Sequence, residues 1–342
     1  MSHPSMSHVG LPFVHVFGES LELFREVLNA TKDAQPFVIA GSGTLGWDMV
    51  ASNLCEKEDN ALVLHTGYVW LFCYLLILPL LIDRYFGDSF AECLQIYGAN
   101  VTQLKAPIGS RPSLSQIEQA LRSKQYKILT ITHVDTSTGV LSDIKSIAEL
   151  TRRVSPSTLV VVDGVCSVGC EEINFSEWDL DIVLTASQKA LGVPPGLSLL
   201  LASSRAMKVF HNRKGPETSY FASWKKWLPI MQAYESRKPM YFATPPVQLI
   251  YALNTSLKQI LERPLADRLA DHKKGSQMVK DFVEKTLGLK TLPDSRAESA
   301  NGMTAVWIPE GVKLQELLPK IASQQVVFAG GLHKEIASML QF

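Results

Sequence analysis

The chain has 342 residues, enough for a large domain and a smaller one. It carries 33 basic and 33 acidic side chains, so no excess of charge points to nucleic acid or a strongly acidic partner. The five cysteines, Cys55, Cys73, Cys93, Cys166 and Cys170, are odd in number and lack zinc-type paired spacing; this argues against a disulfide framework and fits free thiols in a reducing compartment.

Residues 1–17 are rich in Ser, His and Pro and read as an irregular arm, with no signal-peptide or Arg-rich targeting pattern. Gly18-Glu19-Ser20 then opens an amphipathic helix over 21–31. A short strand over 36–40 runs into Gly41-Ser42-Gly43-Thr44-Leu45-Gly46 and a helix over 47–53. Strand, glycine-rich turn and helix start together form an anion cradle, because free backbone N–H groups and the helix dipole favour a phosphate there. Taken alone the turn is equally ordinary punctuation. A second strand, 61–65, precedes an almost wholly apolar run from Tyr68 to Ile82 that contains Pro79. Three readings compete: a membrane span, although a span needs about 20 apolar residues; a buried core helix; or an insertion.

The pattern then alternates: helix 89–97, strand 100–105, helix 113–123, strand 127–132, helix 143–154, strand 158–163. This rhythm predicts a mostly parallel sheet with helices on both faces. After the 127–132 strand comes His133-Val134-Asp135-Thr136-Ser137-Thr138-Gly139-Val140, a hydroxyl-rich loop that can bind a ligand or cap the next helix.

The apolar β-branched run 158–162 ends in Asp163-Gly164-Val165-Cys166-Ser167. A carboxylate at the carboxyl end of such a strand faces the crevice where open α/β sheets bind ligands. The next strand, 181–184, leads to Thr185-Ala186-Ser187-Gln188-Lys189-Ala190-Leu191-Gly192-Val193-Pro194-Pro195-Gly196. A lone loop lysine is ordinarily solvated, and a lone strand-end Asp ordinarily a cap. As a pair on consecutive strand ends they match what pyridoxal phosphate requires, a lysine for its aldehyde and an acid for its ring nitrogen.

The strand 197–201 completes the sheet, and Trp224, Trp227 and Tyr234 read as packing. Met240-Tyr241-Phe242-Ala243-Thr244-Pro245-Pro246 ends in a rigid turn. A long helical pattern covers 246–287. Strands at 303–308 and 326–329 with a helix at 313–323 look like a βαβ half of a small domain.

Val161-Val162-Asp163-Gly164-Val165-Cys166-Ser167 followed by Ala186-Ser187-Gln188-Lys189-Ala190-Leu191-Gly192 resembles the alanine–glyoxylate (serine–pyruvate) aminotransferase family, in a fungal-type form. This is a branch of the class V, fold-type-I pyridoxal-phosphate enzymes, and the similarity runs along nearly the whole chain. The resemblance implies an α/β fold: an arm over 1–17, a large cofactor-binding domain over 18–255 and a small C-terminal domain over 256–342. It implies that Lys189 carries the cofactor and moves the substrate proton, that Asp163 holds the ring nitrogen, and that Val165 and Phe86 pack on opposite ring faces. Ser42, Gly43 and Thr44 correspond to phosphate contacts, and Gln188 and Ser137 to further cofactor or substrate contacts. In family homodimers the equivalents of Tyr241 and Thr244 reach the neighbouring subunit's phosphate, so two composite active sites are expected.

The chain departs from the family pattern in three places. Removing 68–84 joins Thr66-Gly67 to Tyr85-Phe86-Gly87-Asp88-Ser89-Phe90, the family's strand–loop–helix; an intron-like insertion is expected, and it is expected to disturb Phe86. Both ends are short against the family, as if Met1 were an internal methionine. Beyond Ala329-Gly330-Gly331-Leu332-His333-Lys334 the family's Arg-Ile-Gly-His-Met-Gly strand, bearing the arginine that clamps the substrate carboxylate, has no counterpart. The expectation is therefore transamination of L-alanine with glyoxylate, giving pyruvate and glycine, impaired in this version. The alternatives are a catalytically inert cofactor-binding product or another class V enzyme, such as a serine–pyruvate or phosphoserine aminotransferase or a cysteine desulfurase. No metal is expected, a membrane role is disfavoured, and the expected location is cytoplasmic, with peroxisomal or mitochondrial as alternatives.

Overall fold

The computed structural model describes residues 6–68, 86–330 and 339–341. The interrupting segment proposed at 68–84 lies outside the described residues from position 69 onward. Among the described residues no helix is long and apolar enough to cross a membrane.

Seven strands form the main sheet: β1 (Gln35–Ala40), β2 (Asn60–Tyr68), β3 (Asn100–Pro107), β4 (Ile128–Thr132), β5 (Leu159–Asp163), β6 (Ile182–Ala186) and β7 (Leu197–Ala202), in the order β1-β7-β6-β5-β4-β2-β3. β3, β2, β4, β5 and β6 pair in parallel, whereas β7 is antiparallel to both β6 and β1. The mostly parallel sheet read from the alternation is therefore present. β4, β5, β6 and β7 bury nearly every side chain, because helices cover both faces. Each fully buried Val, Leu or Ile contributes about 1.5–3 kcal/mol of transfer free energy. β1 runs with the parallel strands, since two antiparallel steps separate it from β6. The carboxyl ends of β1, β2, β4, β5 and β6 therefore share one edge, the edge where such sheets bind ligands.

The helices are α1 (Leu11–Val27), α2 (Gly43–Leu54), α3 (Phe86–Ile96), α4 (Leu114–Ser123), α5 (Ile144–Val154), α6 (Ser204–His211), α7 (Trp224–Glu235), α8 (Val247–Leu261), α9 (Leu265–Asp281) and α10 (Leu314–Ala322). Trp224, Trp227 and Tyr234 of α7 are buried, as packing residues should be.

Three local readings are corrected. Residues 11–17 are helical, not irregular: Pro12 sits in the first turn of α1, where its missing N–H costs nothing, and Phe13, Val14, Phe17, Leu21 and Phe24 are buried on one face. Gly18 does not start this helix. It lies inside α1 where a Cβ would fall 2.3 Å from the Tyr234 carbonyl oxygen, so the glycine permits close approach to α7. The long pattern at 246–287 is two helices, because Pro264 has no N–H to donate and disfavours helix in the residue before it. At the C-terminus β8 (Ala305–Trp307), α10 and β9 (Ala329–Gly330) do form a βαβ unit, but β10 (Met339–Gln341) lies between its strands, antiparallel to both.

Candidate active site

The site is built at the shared edge, and Asp163 is its deepest member. As the last residue of the apolar strand β5 it is buried, and that burial pushes its carboxyl above the ordinary range. Two donors pull the other way: the Val165 amide reaches Oδ1 at 3.1 Å and the Trp47 indole N–H reaches Oδ2 at 2.7 Å.

The Gly41–Thr44 turn joins β1 to α2 at the same edge. A Cβ on Gly43 would lie 2.8 Å from Val165 Cγ2, and one on Gly46 3.1 Å from Leu184 Cβ, so α2 lies flush against the strand ends. The first N–H groups of a helix have no intrahelical acceptor. Here Ser42, at the N-cap, leaves them uncapped, because its hydroxyl bonds to that of Thr44 instead. Both residues are exposed.

Lys189 and Gln188 are exposed on the turn that follows β6. That turn is pinned from below. Ser187 Oγ donates to the Pro194 carbonyl at 2.8 Å and accepts from the Leu197 amide at 3.2 Å. Gly192 takes φ +68°, a left-handed conformation that glycine adopts without Cβ strain, and its amide donates to the Lys189 carbonyl at 2.9 Å. Arg268 of α9 donates to the Ala190 and Gly169 carbonyls, at 3.1 and 2.8 Å. Cys166 marks the convergence of lysine and acid: burial pushes its thiol up to about 11, with Lys189 acting on it to lower that value and Asp163 to raise it.

The hydroxyl-rich loop after β4 is organised by Asp135. This buried carboxylate accepts from the Ser137 amide at 2.8 Å and from Thr66 Oγ1, at the end of β2, at 3.1 Å. Ser137 is thereby buried in the loop rather than presented on the surface. Burial pushes the Asp135 carboxyl from 3.8 up to about 6. The folded chain thus holds this proton where the unfolded chain has lost it, and the group's contribution to stability falls as pH rises from about 4 to 6. Asp135→Asn removes that dependence. The difference in thermal midpoint between variant and parent should shift in the variant's favour across this window and level off above it, which melts at half-unit pH steps would check.

Phe86 opens α3 half-exposed, its ring edge-on to Trp47 at 6.5 Å, while Trp47 stacks on Phe90 at 5.4 Å. Among the described residues, Tyr241 and Thr244 make no ring contact or hydrogen bond with these side chains. Both are exposed, their hydroxyls are 3.3 Å from one another, and Tyr241 packs on His8. Trp47, Asp135 and Arg268 were not singled out as site residues by sequence. A tryptophan one turn past a glycine-rich cradle is the only local signal for the first of them.

The donor set fits pyridoxal phosphate. A buried carboxylate with two donors suits a protonated ring nitrogen, an uncapped helix start suits the phosphate, the missing Cβ at Gly43 lets that helix start sit directly against Val165, and an exposed lysine completes the edge. Residues 89–340 match the class-V aminotransferase family. The chain is 43% identical to alanine–glyoxylate aminotransferase 1 of Saccharomyces cerevisiae, over 97% of this chain and 84% of the yeast protein. It is 28% identical to L-aspartate–glyoxylate aminotransferase of Paracoccus denitrificans, over 90% of this chain and 72% of that protein. The crystal structure of an alanine–glyoxylate aminotransferase from Nostoc sp. superposes with a TM-score of 0.86 at 24% identity, over 99% of this chain and 83% of that one, a likeness of fold. A lysine and a buried aspartate on consecutive strand ends, with that extent of similarity, leave one assignment: the chain belongs to the class-V aminotransferases, enzymes dependent on pyridoxal phosphate.

Proposed function

We propose that this protein moves the amino group of L-alanine to glyoxylate, giving pyruvate and glycine. The observation that carries the choice of substrates is the 43% identity to the yeast enzyme over nearly the whole chain. The acceptor has further support, because the aspartate-using Paracoccus relative is also named for glyoxylate. Pyridoxal phosphate supplies an electron sink for the carbanion formed when the amino acid loses its α-proton. The chain's own residues do the rest. Ser42, Gly43 and Thr44 hold the phosphate at the start of α2. Asp163 keeps the ring nitrogen protonated. Val165 and Phe86 would bracket the ring, with Gln188 on the exposed turn and Ser137 in the loop after β4 as further contacts. Lys189 anchors the cofactor through its amine, then takes the substrate α-proton as general base and returns it as general acid.

Steady-state assays of the cofactor-loaded protein with glyoxylate and alanine, serine or aspartate test the reading. Alanine should give the highest kcat/KM, with parallel double-reciprocal lines. A higher value for serine or aspartate would reassign the donor, and bound cofactor without turnover would favour the inert cofactor-binding product.

We further propose a homodimer whose interface includes Tyr220, Phe221, Met240 and Tyr241. These large apolar side chains are exposed together around Phe242, with Tyr220 73% and Tyr241 59% accessible. An apolar patch of this kind marks an association surface, and it would bring Tyr241 and Thr244 to the other copy's phosphate. Light scattering should give the mass of two chains, and Tyr241→Ala should weaken both dimerisation and cofactor retention. A monomer that retains cofactor fully would refute the shared site.

A further inference from the structure

We propose that Trp47 is the positioning residue for Asp163, its indole N–H fixing the carboxylate so that the remaining lone pairs face the cofactor's ring nitrogen. The inference rests on the cofactor reading above. It starts from an inventory of the carboxylate's acceptor sites. An ionised carboxylate has about four lone-pair sites. Val165 N–H takes one on Oδ1, at 3.1 Å, and Trp47 Nε1–H takes one on Oδ2, at 2.7 Å. One donor on each oxygen leaves one site on each oxygen for a cation or a further donor.

The indole is held independently of Asp163. Trp47 is 5% exposed, stacks on Phe90 with ring planes 13° apart, and receives the edge of Phe86. Gly46 brings α2 so close to Leu184 that an added Cβ would sit 3.1 Å from the leucine Cβ, and this sets the depth from which the indole reaches the strand end. The same helix begins at the phosphate cradle, with Ser42 at its N-cap. One rigid element thereby fixes both ends of the cofactor: its N-terminus the phosphate, and its first turns, through Asp163, the ring nitrogen. Burial works against ionisation of Asp163, and Trp47 is one of the two donors that oppose it. A carboxylate that lost the indole would rotate more freely and take up a proton more readily, which would weaken its hold on a cationic nitrogen.

Trp47→Phe keeps an aromatic ring and removes the N–H. Three readouts on the cofactor-loaded protein test the proposal: the cofactor Kd by equilibrium dialysis, the pH dependence of the visible cofactor band, and both repeated in an Asp163→Asn background. A hydrogen bond to a charged group accounts for about a tenfold change, so the Kd should rise about tenfold in Trp47→Phe and the midpoint of the band's pH titration should move. In the Asp163→Asn background the same substitution should change Kd by less than about twofold, because Trp47 acts through that carboxylate. An equal effect in both backgrounds, or an unchanged Kd and pH profile, overturns the proposal and leaves Trp47 as packing. If Trp47→Phe fails to fold, 3-benzothienylalanine at position 47 keeps the bicyclic shape, replaces N–H by sulfur, and is held to the same outcomes. A parent protein that takes up no cofactor overturns the functional reading, and this proposal with it; a parent that binds while the variant behaves identically overturns this proposal alone.

Discussion

Lys189→Ala should abolish alanine–glyoxylate turnover, lowering kcat by about 10⁴-fold while leaving the fold intact. Removing the amine removes both the covalent anchor and the general base, and a positioned acid–base group alone contributes about 10²–10⁴-fold. The fold should survive because Lys189 is exposed on a turn closed by other groups: the Ser187 hydroxyl, the Gly192 amide and Arg268. Its own backbone carbonyl accepts from Gly192 and is unaffected by the side chain. Lys189→Arg is the sharper control. It keeps the charge and length but stays protonated under all working conditions, so it can neither condense with an aldehyde nor accept a proton. Both variants should show unchanged circular dichroism, no borohydride-stable label on residue 189 and no turnover. Residual activity in Lys189→Arg above about 1% of parent would place the proton-transfer group elsewhere.

The chemistry of this site was legible where it is local, and hidden where it depends on sheet order. Asp163 could be read because an apolar β-branched run ending in an acid describes a buried strand reaching the ligand edge, and β5 is such a strand. Lys189 could be read because β6 ends just before it in glycine- and proline-rich chain. The phosphate cradle is a contiguous strand–turn–helix. Trp47 could not be assigned a role, because its partner lies 116 residues away and the two meet only when α2 packs across β7 and β6, next to β5. Arg268 is similar, reaching the Lys189 turn from a helix 78 residues downstream of Ala190. The onset of α1 was missed for a different reason: residues 11–17 place Pro12 and His15 among the apolar positions, which blurs the periodicity, yet Phe13, Val14 and Phe17 are the face buried against α7 and α8. The long helical pattern read at 246–287 shows the converse failure: helix-favouring residues continue on both sides of Pro264, but the chain breaks there into α8 and α9.

Asp163→Asn should lower kcat by about 10²–10³-fold and weaken cofactor binding while leaving the chain folded. The loss in rate follows from charge: a neutral amide does not hold a proton on the ring nitrogen, and removing one preorganised electrostatic group costs on this scale. A cost in stability, shared by the cofactor-free and cofactor-loaded forms, follows from donor counting. Both partners of this side chain donate, the Trp47 indole to one oxygen and the Val165 amide to the other. Asparagine offers a single acceptor oxygen, so either flip of its amide sets an NH2 group against one N–H. An unmet buried donor costs about 1–3 kcal/mol. Against that stands the relief of a buried charge, since burial already raises the Asp163 carboxyl's pKa. A raised carboxyl pKa makes the cofactor-free protein lose stability from this group as pH rises above the ordinary carboxylate range, and the variant lacks that loss. The cofactor-free Asp163→Asn protein should therefore gain on its parent in thermal midpoint as pH rises from about 4, even as its cofactor-loaded form falls behind, because only the parent carboxylate pairs with a cationic ring. Melts of both forms at pH 5 and pH 8 would separate the two effects. A variant that matched the parent in the loaded form would mean that no cation sits on this carboxylate, and that the charge buried at the end of β5 serves the fold alone.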